Sequence, residues 1–158
     1  MTRPVVYDHF PNLARLLHAL VEREEIYALE QLEAIVPRDR GDRDPQQLLP
    51  QGVRRFLDAV ASRPATWRII LLPLDGTPAI VRDHVESNRA DMLARIEALV
   101  RWAIGRSELP AGPDIELTAR AIRSLGEEAG RMLLHDPEGY SPERYERFVS
   151  SVGTLVWP

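Results

Sequence analysis

Cysteine is absent from the 158 residues. With it go disulfide scaffolds, thiolate-ligated zinc, iron–sulfur clusters and thiol nucleophiles. Lysine is absent too, since all 20 basic residues are arginine, a bias read as that of a GC-rich coding sequence rather than a binding feature. No apolar run approaches the roughly 18 residues of a membrane span. The opening Met1-Thr2-Arg3-Pro4 leads into mixed residues instead of the apolar core of a signal peptide, so a cytoplasmic protein without a membrane partner is expected. No Asn-Gly or Asp-Gly turn joins two alternating apolar runs, which removes the usual signature of a hairpin.

Catalytic signatures are missing as well. His9, His18, His84 and His135 are scattered without the i, i+4 pairing of a helical metal site, and no Gly-rich phosphate loop or Gly-x-Ser-x-Gly elbow occurs. Adjacent acids such as Glu24-Glu25 and Glu127-Glu128 point in different directions on a helix, which reads as solvated faces. No catalytic residue, metal ligand or cofactor is therefore assigned, and an enzyme is not expected. A net charge of -4 argues against a surface that grips nucleic acid throughout, although a local basic patch remains open.

What is present is apolar spacing of three and four over most of the chain, which predicts an all-α protein. The length suits one core that needs neither metals nor disulfides. A first helix is expected after the N-cap Asn12, carrying Leu13, Leu16, Leu17, Leu20, Tyr27 and Leu32 until Pro37 stops it. The alternating charges from Pro37 to Pro45 have nothing to bury and predict a solvated loop. A helix from about Gln46 to Ser62 presents Val53, Phe56, Leu57 and Val60 inward. The run Trp67–Leu72 reads as a buried helix, because a lone strand would leave its backbone groups unpaired.

The longest helix is predicted from Pro78, capped by Thr77, to about Arg106. Its stripe is Val81, Val85, Met92, Leu93, Ile96, Leu99, Val100, Ala103 and Ile104. Asp114 caps a helix to Leu134 with Ile115, Ala119, Ile122, Leu125 and Leu133 inward. Ser141-Pro142-Glu143 opens a last helix bearing Tyr145, Phe148, Val149, Val152, Leu155 and Val156.

Two further features bear on binding. Glycine inside a helix costs about 0.8–1 kcal/mol relative to alanine, so Gly126 and Gly130 need a compensating close approach of a second helix. One reading is a dimer four-helix bundle made by the last two helices through Ile122, Gly126, Ala129, Gly130, Leu133, Phe148, Val152 and Leu155. The other packs the glycines inside one subunit. Separately, Trp67, Leu71, His84, Asn88, Met92 and Trp102 have the makings of an apolar pocket with a few polar anchors, with 84, 88 and 92 stacked along the long helix. Against that, His84 and Asn88 can equally face solvent or make ordinary hydrogen bonds.

The segment Val6-Tyr7-Asp8-His9-Phe10-Pro11-Asn12-Leu13-Ala14-Arg15-Leu16-Leu17 resembles the end of the helix-turn-helix of TetR-family transcriptional regulators. Members of that family usually read Leu/Val-Tyr-x-His-Phe there, ahead of a Leu-rich connecting helix. The later layout is similar to the family's C-terminal half: a Trp-containing helix bounded by prolines, a long amphipathic helix, then two terminal helices that dimerise. The resemblance implies a bundle of about seven helices, with residues 1–12 a remnant of the DNA-binding head and 13–158 the regulatory domain.

It also implies a repressor: a homodimer that holds an apolar or aromatic effector and meets operator DNA through Arg3 and Tyr7, with His9 nearby and Phe10 and Leu16 in the core. Leu13 stands where the family often has lysine, and Asp8 adds a charge that phosphate repels. About forty residues of the family's head precede this point in its members. Their absence leaves a piece of a longer protein, a start codon placed late, or a headless dimeric binding protein that does not touch DNA.

Overall fold

The computed structural model describes residues 23, 27, 30, 31, 33–72, 79–106 and 112–156, the side chains of 80, 81 and 153–156 excepted. Among the described residues the fold is all-α, with no strand. The expected DNA-facing residues Arg3, Tyr7 and His9 lie outside them, as do Phe10, Leu16, the Thr77 cap and the side chain of Leu155.

Residues 23, 27, 30, 31 and 33–35 are helical and belong to the connecting segment that was expected to run to Pro37. The charged loop follows. Gly41 turns it with φ of 49°, a conformation glycine adopts without steric cost, and its amide donates to Asp39 at 3.2 Å. Five further helices follow among the described residues: α1 Pro45–Ser62, α2 Pro64–Leu71, α3 Ala79–Ile104, α4 Ile115–His135 and α5 Pro142–Val156.

Local chemistry explains where these helices begin. Asp44 accepts a hydrogen bond from the Gln46 amide at 2.9 Å, and Pro45 fills the first helical position, where an amide proton would have no partner. Asp114 caps α4 in the same way, accepting from the Leu117 amide at 2.9 Å. α1 carries Pro50 inside it, which removes one internal hydrogen bond without ending the helix.

Two apolar clusters hold the bundle together. The first joins Leu57, Val60, Trp67, Leu71, Ala129 and Leu133 from α1, α2 and α4, with Tyr145 of α5 packed on it. Leu57 and Val60 are fully buried, and each such side chain contributes roughly 1.5–3 kcal/mol. The second joins Ile35 and Val36 of the connecting segment to Ile96 and Val100 of α3 and Ala119 of α4. Phe56 touches both clusters and meets Trp67 edge-on, with ring centroids 5.1 Å apart at 88°.

Polar ties fix the helices relative to one another. Arg54 of α1 reaches Glu143 at 2.8 Å and Glu146 at 3.2 Å, both on α5, while pairing Asp58 on its own helix at 2.9 Å. The connecting segment is held by Arg95 of α3, whose guanidinium meets Glu33 at 2.8 Å, and by Arg55 of α1, which donates to the Ala34 carbonyl at 2.7 Å.

The fold assigns the two glycines differently from a shared dimer seam. A Cβ at Gly130 would stand 2.7 Å from Leu71 Cδ1 and 3.3 Å from the Phe56 ring. Its close approach is therefore made inside the subunit. Ala129 and Leu133 are buried in the same cluster, and Ile122 is partly buried against the second, so the packing of these four is within the subunit. Nothing lies within 4 Å of a Cβ at Gly126, which borders the cavity described below. Leu125, expected to point inward, is 71% exposed, whereas Phe148 at 60% and Val152 at 39% keep the exposure an interface requires.

Candidate functional site: a cavity against the connecting segment

A cavity of about 140 Å³ lies between the two clusters. Gln31, Ile35 and Val36 of the connecting segment form one wall. Leu48, Gly52, Val53 and Phe56 of α1 form a second, and Trp67, Ile70 and Leu71 of α2 close an end. From α3 come Val85, Asn88, Arg89, Met92, Ile96 and Leu99, and from α4 Ile122, Arg123, Gly126 and Glu127.

Of the residues singled out from the sequence, Trp67, Leu71, Asn88 and Met92 are brought together on this cavity. His84 and Trp102 are not. The reason is helical phase. Each step of four residues overshoots a full turn by about 40°, so the row 84, 88, 92 slants across α3 and only its last two members reach the wall. Trp102, eighteen residues or five full turns beyond His84, falls on the same side of the helix as His84, and lies under the Arg106 guanidinium at 4.9 Å from its ring centroid. His84 is half-buried beside Val85.

Sequence reasoning missed the charged part of the site. Glu127, read as part of a solvated face, has a side chain only 20% exposed and lines the cavity. Three guanidiniums surround it: Arg89 at 3.3 Å, Arg123 at 3.7 Å and Arg131 at 3.8 Å. Arg123, Glu127 and Arg131 follow one another at spacing four on α4, a line that marks mutual contact on a helix surface. What the spacing does not carry is the arrival of Arg89 from α3, which also pairs Glu86 at 2.8 Å and donates to the Ile70 carbonyl at 3.3 Å.

Two polar atoms of residues that line the cavity stay unsatisfied. Trp67 Nε1 and Arg123 Nε are both buried and have no hydrogen-bond partner, and Trp67 as a whole is 8% exposed. Buried donors without partners cost about 1–3 kcal/mol each.

The same wall touches the connecting segment at close quarters. A Cβ at Gly52 would stand 2.9 Å from the Ile35 carbonyl oxygen, so the α1 backbone lies directly against it. Glu33, on the next turn, is held below the ordinary carboxylate range of about 4.5 by the Arg38 amide that donates to it and by the Arg95 hydrogen bond.

Among the described residues no group of acidic and histidine side chains is placed to hold a metal, and no helix is long and apolar enough to cross a membrane. Comparison of the chain with models of protein families and with curated proteins finds no match to either.

Proposed function

We propose that this chain is the effector-sensing, dimerising core of a TetR-like transcriptional regulator. The observation that carries the reading is the shared wall: the residues that line the cavity include Gln31, Ile35 and Val36, at the end of the segment that begins next to the helix-turn-helix-like stretch 6–17. A molecule in the cavity touches this segment on one side and α2, α3 and α4 on the other. An occupant that fits better with the segment in one position draws the population toward that position. In a dimer, such a shift changes the spacing of the two N-terminal ends and with it the fit to operator DNA.

The dimer surface in this reading is made of the exposed apolar rows of α4 and α5. Leu117 and Leu125, at 65% and 71% exposure, stand with Ala121 at spacing four on α4, and Phe148 and Val152 stand at the same spacing on α5. Leucine and phenylalanine exposed in ordered rows are unfavourable in water and favourable in a bundle formed with a second copy.

Amide hydrogen exchange over residues 23–36 tests the coupling. With toluene saturating the cavity, exchange at residues 31–36 is expected to slow, because the occupant packs on Ile35 and Val36. Unchanged exchange in that segment with toluene bound would contradict the reading.

A further inference from the structure

We infer that Gly126 sets the room in the cavity, and that the occupant it admits is an uncharged molecule of about one aromatic ring. The inference rests on the cavity being the effector site and adds which molecules that site takes. From α4 the lining residues are Ile122, Arg123, Gly126 and Glu127. At about 100° per residue, position 126 falls between 122 and 123 around the helix, so the glycine stands within the arc that faces the cavity. A Cβ there would meet nothing within 4 Å. Gly130, one turn on, is the opposite case, with Leu71 and Phe56 in the way.

Glycine weakens a helix, and at position 126 no neighbour inside the subunit requires it. What its missing side chain leaves is space in the cavity. That space is about 140 Å³, close to the roughly 150 Å³ of an apolar cavity that accommodates benzene. Phe56, Ile70, Met92 and Ile96 supply hydrocarbon walls for a ring.

The charges beside the cavity are balanced among themselves. Arg89 pairs Glu86 at 2.8 Å and Glu127 at 3.3 Å, Arg123 pairs Glu127 at 3.7 Å, and Arg131 pairs Glu128 at 2.8 Å and Glu127 at 3.8 Å. Three guanidiniums thus face three carboxylates. Trp67 Nε1 and Arg123 Nε, though unpartnered, are closed off by their neighbours and recruit nothing within the cavity. The other polar side chains on the wall, Gln31 and Asn88, are neutral amides, which can meet a hydroxyl or a carbonyl without supplying charge. An ionised occupant would give up its water and gain no counter-ion.

The test uses three probes of nearly equal shape, toluene, benzoate and benzylamine, titrated calorimetrically into the intact chain at neutral pH. Toluene is expected to bind, and the two ions at least about tenfold more weakly. Gly126→Ile places a stiff, branched side chain in the space. Toluene should then weaken by at least about fivefold, the lower end of what overpacking costs. Urea denaturation should find the variant no less stable than the parent, because isoleucine has the better helix propensity. Binding lost with stability kept separates a filled cavity from a damaged fold.

Benzoate or benzylamine binding as tightly as toluene would overturn the exclusion of charge. Toluene indifferent to Gly126→Ile, or that variant destabilised, would overturn the role of Gly126. Each of these leaves an effector cavity. If toluene binds as expected and exchange at residues 31–36 does not change, the selectivity stands and the coupling falls. If none of the three probes binds, the cavity reading falls together with the inference.

Discussion

Gly126 and Gly130 are one helical turn apart and stand in opposite circumstances. Gly130 is a glycine because Leu71 and Phe56 occupy the space a side chain would need, whereas nothing lies within 4 Å of a Cβ at Gly126. The consequences of substitution are therefore opposite in sign. Gly126→Ala is expected to stabilise the subunit by about 0.8–1 kcal/mol, the helix-propensity difference, because no neighbour resists the methyl group. Gly130→Leu is expected to destabilise it by about 1–3 kcal/mol through overpacking. Urea denaturation of the two variants beside the parent checks both; equal and opposite-sign failure of either shift would show that the backbone at that turn repacks freely. The sequence showed that the pair needed a reason, since glycine is costly in a helix. It did not carry the direction each one faces, because positions four apart differ in phase by about 40° and the neighbours that decide the matter come from α1 and α2.

Helices and their caps were legible at the scale of the element. Asp114 acts locally and was read as the cap of α4, and α1 was expected from about Gln46, one residue past its start at Pro45, although its cap Asp44 was read as loop. The inward stripe of α1 was legible for a similar reason: Val53, Phe56, Leu57 and Val60 recur at the helical period with charged residues between them. The phase of α4 was less so. Leu125 is three residues past Ile122, a step that falls about 60° short of a full turn, which carries it out of the core line and into solvent. A leucine satisfies a core and an interface equally well, and only packing tells them apart. If the outer rows of α4 and α5 join two copies, Leu125→Glu and Phe148→Glu place like charges face to face across the two-fold axis. Light scattering during size exclusion is expected to read a mass near twice 17.9 kDa for the parent and near 17.9 kDa for each variant. A dimer that persists in both would move the interface elsewhere.

For the molecule as a whole, function became readable only where separate stretches of sequence meet. The apolar lining of the cavity could be anticipated from Trp67, Leu71, Asn88 and Met92, which share a helical pattern. Its charged cluster could not, because Arg89 and Glu127 are 38 positions apart and each looks like an ordinary surface residue until α3 and α4 pack. The junction with the connecting segment was likewise invisible, since it depends on Gly52 admitting the Ile35 carbonyl. That junction makes the central claim a mechanical one: filling the cavity moves the two connecting segments of a dimer relative to each other. The chain has no cysteine, so Glu30→Cys, at an exposed helical position of that segment, supplies one spin-label site per protomer. Dipolar distance measurement between the two labels, with and without saturating toluene, tests the claim most directly. The account predicts a defined label-to-label distance in the free dimer that shifts when the cavity fills; no dipolar coupling, or an unchanged distance with toluene bound, would contradict it.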